Sequence, residues 1–484
     1  MKNRLFVLCT MLCACIATYA VQVWDGTAAP WTQGSGIESD PYLIESPANL
    51  AYLSKQVQDG NTYKDVYFLQ TDDIDLNNKS WTYIGVGTSK PFSGIYDGGQ
   101  KHILNIKNYL FGYIKSATIK NLTIAGSTTY SMVYNVIGDV TLINCHNNST
   151  ADIENGGAGL ISSAEKGLLT LIGCGNSATI HSGVLYLHDV GYGRQSNDVF
   201  LGGLIAKANK VKVSKCVHKG NFKYAQSGYT HIGDAYVAAL VGYVDTIQIT
   251  QCGDNGGDID IKTNSTYGPT RVYKGGFVGH CASKPIVSQS YSVGSAISSG
   301  TNSYCYAIMN DGILGGTCIN CYFVGQKSTN PVNSNSINCY YNNDCRVENQ
   351  QYNKAIPQTK EMMKSPSFVS LLNVDGDYFY PDYTNINDGY PILRWQLEGT
   401  TMYKIRATCP SAQGAVSGSG EYPATANITL KATPKDGYTF TGWSDGNTDN
   451  PRTITVNGNA TYVAQFSQAA YTIYVNQDCT TDIE

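Results

Sequence analysis

The chain has 484 residues, with 33 Lys and Arg against 37 Asp and Glu, a formal net charge of −4. That length allows several domains, and the charge balance offers no electrostatic case for a nucleic-acid partner. Only 14% of residues are charged while Gly numbers 50 and Tyr 36, a profile that suits short strands joined by tight turns and excludes a mainly helical chain.

In chain order, residues 1–20 read as a targeting segment. Lys2 and Arg4 precede an apolar run, Leu5–Ile16, that is too short to span a bilayer stably. Thr18-Tyr19-Ala20 offers small residues at −3 and −1 for cleavage before Val21. The alternative is a lipobox-like Leu12-Cys13-Ala14-Cys15, with lipid on Cys15 as an outer-membrane attachment. Either reading exports the protein. Residues 21–65 follow as a short strand and one helix. Ser46-Pro47 supplies an N-cap and Pro at N1, Leu50, Leu53 and Val57 share a face, and Gly60 ends the helix. This helix is expected to plug one end of the fold that follows.

Residues 66–349 are read as strands punctuated by turns every 8–14 positions, and two phrases recur within them. The first is AGLIS at Ala158–Ser162, GGLIA at Gly202–Ala206, AALVG at Ala238–Gly242 and GGFVG at Gly275–Gly279, with a looser GILGG at Gly312–Gly316. The second closes on a cysteine: LINC at Cys145, LIGC at Cys174, VSKC at Cys216, ITQC at Cys252, CINC at Cys321 and SINC at Cys339, with Ser290 of VSQS in the same slot. Steps of 36–44 residues between copies mark a solenoid whose units bury their apolar faces only by stacking. Cysteines at one point of successive units would form an inward structural ladder of free thiols. Neighbours about 4.8 Å apart pair as disulfides only with favourable side-chain geometry. Cys305, Cys318, Cys345, Cys409 and Cys479 lie off that ladder.

Residues 350–398, with helical turns at Thr359–Lys364 and Pro366–Leu372, are expected to cap the other end. Residues 399–468 form a separate small domain with alternating strands, in which Asn457-Gly458 signals a hairpin between TITV and ATYVAQF. Residues 469–484 open a further strand or tail.

The phrases DIDL, WTYIG, FSGIYDGGQKHI, LFGYI and ATIKNLTI, followed by GGLIA and GGFVG, resemble the bacterial GLUG-repeat surface proteins common among Bacteroidetes, over about Trp24–Gln396. The resemblance implies an all-β chain with a right-handed parallel β-helix, exported to the cell surface or secreted. GYTFTGWSDG with ITVNGNATYVAQF resembles the divergent internalin-type B repeat, which implies a β-grasp-like module. Some GLUG relatives carry an IgA-peptidase module, but none of the seven histidines here begins an HExxH motif.

Cys318-x2-Cys321 with Cys339 and Cys345 has a zinc-ribbon rhythm. Cys321 and Cys339 both sit in Ile-Asn-Cys-Tyr, however, so the residues read as structural thiols and no metal or cofactor is expected. The acidic groups Asp73/Asp75, Asp254/Asp258/Asp260 and Asp375/Asp377 lack the spacing of a calcium loop. Asp258, Asp260, Lys262, Arg271 and Lys274 form the mixed cluster that a polysaccharide lyase or hydrolase, the second functional reading, would need.

The leading functional residues are tyrosines placed on the longer loops between repeats: Tyr186, Tyr192, Tyr224, Tyr229, Tyr236, Tyr243, Tyr267 and Tyr273. Aromatic loops on a rigid scaffold suit contact with glycans or proteins, although ordinary β-formers packed on the exterior would give the same pattern. The function expected is that of an adhesin-like, non-enzymatic, monomeric surface protein binding host glycoprotein, matrix protein or polysaccharide. A structural spacer is the third reading.

Overall fold

The computed structural model describes residues 21–181, 184–189, 195–225, 232–256, 259–262, 271–294, 303–306, 316–325, 335–344 and 354–469. The segment expected as a signal and residues 470–484 of the expected tail, with Tyr192, Tyr229, Tyr267, Asp258, Cys345 and Cys479, lie outside these residues. The chain is all-β in character, and its dominant feature is one large, mainly parallel sheet with 23 strands among the described residues. Successive coils pair in register. Tyr96, Ile119, Leu142, Leu171, Val213, Ile249, Val287 and Cys318 stand opposite one another along one column. The inward members of such columns form a continuous apolar core. Each coil leaves an apolar face that only the next coil covers, which is why the sequence repeats.

Both recurring phrases have a physical cause. In AGLIS, GGLIA, AALVG and GGFVG the third and fourth residues are buried: Leu160, Ile161, Leu204, Ile205, Leu240, Val241, Phe277 and Val278. The small residues before them let neighbouring backbones approach. A Cβ on Gly203 would lie 1.9 Å from the Ala239 carbonyl oxygen. In the second phrase the residue before the ladder position takes a left-handed conformation at Asn144, Gly173, Lys215, Gln251, Gln289, Asn320 and Asn338. That residue turns a corner, and the following Cys or Ser points inward. Cys145, Cys174, Cys216, Cys252, Ser290, Cys321 and Cys339 are all buried, and each donates from its Sγ or Oγ to the carbonyl two residues back. The six cysteines of this ladder are free thiols, as is the half-buried Cys409.

Helix α1, Pro47–Gln58, starts on the Ser46 side chain and stops at Gly60, whose φ is +110°. Leu50, Leu53 and Val57 join the main core, and Ser54 Oγ donates to the Thr82 carbonyl at 2.6 Å. Beyond the coils, Ile356–Gln358 adds one more parallel strand. Two short helices follow, α2 at Lys360–Met363 and α3 at Pro366–Leu372, capped by Thr359 and Ser365. The chain then lies along the flank of the coils: Lys215 pairs with Glu398, Trp395 with Gln251, and Asn255 with Asn387.

A five-stranded sheet stands beside the main one. Val184–Asp189 runs antiparallel to Gln195–Gly202, which is followed in parallel by Ile232–Ala238, Arg271–Gly275 and Ser303–Tyr306. Phe222–Ala225 pairs with Ile259–Lys262 in a smaller sheet. These segments correct the loop assignment. Tyr186, Tyr224, Tyr236 and Tyr273 lie in strands, and Tyr243 lies in the strand Val241–Thr250 of the main sheet. Buried Ala235, Val237 and Val272 alternate with Tyr236 and Tyr273, which puts these two tyrosines on a pleated, half-buried surface.

Residues 402–468 build a mixed four-stranded sheet and an antiparallel three-stranded sheet around Trp443, Ile405, Leu430 and Val456. The hairpin expected at Asn457-Gly458 does not form. Arg452–Thr455 pairs with Asn427–Pro434, whereas Ala460–Gln468 pairs with Met402–Thr408 and Tyr438–Trp443. Buried Val456 donates its N–H to Ala426, so Asn457-Gly458 carries the chain from one sheet to the other.

Candidate binding site

Three places combine residues with chemistry beyond packing. At the first, the side sheet meets the main one. Phe200, Tyr236 and Tyr273 are in register on consecutive strands, and their rings stack at 5.4 and 5.0 Å with planes within 7°. Lys207, Tyr243 and His280 form the adjacent column, with the Lys207 ammonium 5.0 Å above the Phe200 ring and Tyr243 stacked on His280 at 5.2 Å. Burial is the main cause pushing the Tyr236 phenol well above its ordinary range, helped by the Asp234 carboxylate. Burial also lowers His280, against the opposing pull of Asp234 and Asp245. Three of the predicted tyrosines, Tyr236, Tyr243 and Tyr273, are therefore brought together, but the faces of Tyr236 are occupied by Phe200 and Tyr273. Rings stacked on one another leave edges and hydroxyls, a poorer platform for a sugar than an open face. Of the remaining candidates, Tyr186 and Tyr224 are placed only by their strands. Lys274 of the mixed cluster is buried.

The second place was not anticipated from the sequence. A cleft of about 540 Å³ lies between the corners of three coils and the segment on their flank. His146, Asn148, Asn176, Ser177 and Lys219 line the coil side, and Ile386, Trp395 and Gln396 the other. Its walls are held in place. The Trp395 indole N–H donates to the Gln251 carbonyl at 3.0 Å. Gln396 Oε1 accepts from the Leu393 N–H at 2.8 Å and from the Tyr291 hydroxyl at 3.3 Å. Burial lowers His146 below its ordinary value, with Cys174 opposing and Lys219 acting in the same direction as burial, which favours the neutral imidazole that can both donate and accept. Gly173 and Gly175 bring backbone to the lining. An anchored indole with amides, a hydroxyl, a neutral imidazole and one ammonium can stack on an apolar ring face and hydrogen-bond its rim.

The third place is a set of sulfurs. Among the described residues, Cys318, Cys321 and Cys339 are the one group of three or more potential metal ligands that converge, with Sγ atoms within 4.8 Å of one another. The acidic groups are engaged otherwise. Asp73 accepts from His102, Asp75 from Asn77 and Asn105, Asp375 from Asn320, and Asp377 pairs with Arg394.

Residues 403–470 match a family model described as the divergent InlB B-repeat domain. That model covers the small C-terminal domain, in agreement with the resemblance read from GYTFTGWSDG. No curated protein matches. Among solved structures, a proposed immunoglobulin A1 protease from Bacteroides ovatus aligns with 75% of this chain and 95% of its own, at 13% identity and a TM-score of 0.37. Among the described residues, no helix is long and apolar enough to cross a membrane.

Proposed function

We propose that this protein is an exported bacterial surface module of the GLUG-repeat kind, adhesin-like and non-enzymatic, that binds polysaccharide or the glycans of host glycoproteins. In this reading the coils form a right-handed, capped solenoid and the B-repeat domain links it to the rest of the surface assembly. The observation that carries the reading is the cleft at Trp395. It combines a fixed indole with Asn148, Asn176, Ser177, Gln396 and neutral His146, the side chains that recognise hydroxyl-rich rings. Lys219 at its edge favours an acidic substituent such as a uronate or sulfate. Among the described residues no carboxylate lines the cleft, which favours binding over acid–base hydrolysis.

The test is retention of the 21–484 chain on immobilised mucins, matrix proteins and neutral or acidic polysaccharides, with new reducing or unsaturated ends assayed in the same wells. Retention without product is expected, weakened at least tenfold by Trp395→Ala. Product formation would make the chain a carbohydrate-active enzyme, and no retention anywhere would leave a spacer.

A further inference from the structure

From the convergence of three buried thiols at the last coils, we infer that Cys318, Cys321 and Cys339 form a binding site for a thiophilic divalent cation, zinc above others. Two columns of inward side chains meet there. In one, every coil from Ile119 to Val287 presents an aliphatic residue, until Cys318 takes that position. In the other, the ladder supplies Cys321 and Cys339 on consecutive coils, fixed by the left-handed corners at Asn320 and Asn338. In this column the thiol therefore falls where two further thiols are already adjacent, unlike Cys281, which follows Val244 in another column and is not part of the converging group.

The spacing suits a metal better than a disulfide. Zinc binds thiolates at about 2.3 Å, which places tetrahedral ligand sulfurs about 3.8 Å apart. Sulfurs within 4.8 Å reach that by small side-chain rotations. Cys321 and Cys339, by contrast, occupy equivalent positions on parallel neighbours, where the Cβ vectors run alongside each other instead of facing. An all-sulfur set selects soft ions, and three thiolates around a divalent ion leave a net charge of −1, one less to bury than with a monovalent ion. Binding releases three protons, one from each thiol as its sulfur bonds to zinc, and leaves the fourth position to water or an added thiol. Affinity therefore falls steeply as pH is lowered.

The experiment uses the reduced 21–484 chain. Zinc content is measured after dialysis against zinc and again against metal-free buffer, and cadmium is titrated while thiolate-to-metal charge-transfer absorbance is followed. One equivalent of either metal is expected, with about three protons released per metal in weakly buffered solution. Cys318→Val, which restores the aliphatic residue of the column and should fold, is expected to lower retained metal at least tenfold. Cys339→Ser is a second variant with the same expected loss, and Cys145→Val, five coils away from Cys321, is expected to bind as the parent does. Absence of metal from the parent chain, equal uptake by parent and Cys318→Val, or a disulfide between any two of the three cysteines after refolding with zinc would overturn the assignment.

Discussion

A buried polar column gives the fold an acid response that mutation should redistribute. Asn147, Asn176, His218, Asp254 and Ser292 are in register on successive coils and are all buried. His218 faces the Asn176 amide through Nδ1, while its Nε2 is buried without a partner. Asp254 accepts from the Ser292 hydroxyl at 2.7 Å and the Gly256 N–H at 2.8 Å. Burial lowers His218 from 6.5 to about 4 and raises Asp254 from 3.8 to about 6. For His218 the unfolded chain takes up its proton first, so stability present above pH 6.5 is lost as pH falls, about 2 kcal/mol of it by pH 5. For Asp254 the folded chain takes up its proton first, so the penalty in force above pH 6 is relieved as pH falls, by about 1 kcal/mol at pH 5. The two nearly offset, and the parent should lose only about 0.5 kcal/mol from this column between pH 7 and 5. His218→Asn, which copies the neighbouring Asn176, should instead gain about 1 kcal/mol over the same descent, and Asp254→Asn should lose about 2 kcal/mol. Urea unfolding of the three proteins at both pH values measures these differences. Parallel pH responses in all three would refute the argument that the column's burial sets these protonation states.

Two further substitutions test how the coils are built. Gln289 is non-glycine at a left-handed corner, φ +44°, so Gln289→Gly should stabilise by about 0.5–1 kcal/mol, read from the urea midpoint. Gly203→Ala should destabilise by about 3 kcal/mol or more, because its Cβ would meet the Ala239 carbonyl carbon-to-oxygen at 1.9 Å and backbone cannot rotate away. Amide exchange should then quicken first in the strands Ile205–Ser214 and Val241–Thr250.

The repeat itself was legible because stacking demands the same residue types at the same point of every coil. The cysteine ladder, the place of Ser290 within it, and the start and stop of α1 were all read from local pattern. The misreadings have a common physical origin. Asn457-Gly458 has the local chemistry of a hairpin, but Val456 is drawn into a core shared by two sheets, and tertiary packing outweighs the turn preference. The tyrosines read as loop residues because Gly, His and Asn surround them, whereas their pairing partners lie a full coil away. Trp395 was read from sequence only as part of the segment capping the coils, and not as the wall of a cleft. Its cleft depends on contacts such as Trp395 to Gln251, 144 residues apart, which no local period records.

In the proposed function the cleft beside Trp395 receives the ligand. Its most direct test is hydrogen–deuterium exchange of the 21–484 chain with and without a polysaccharide that retains it. Protection is predicted at residues 146–148, 173–177, 217–219 and 386–396, and absent in Trp395→Ala. Protection confined to the Phe200–Tyr236–Tyr273 column or to the C-terminal domain, with those four stretches unchanged, would contradict it.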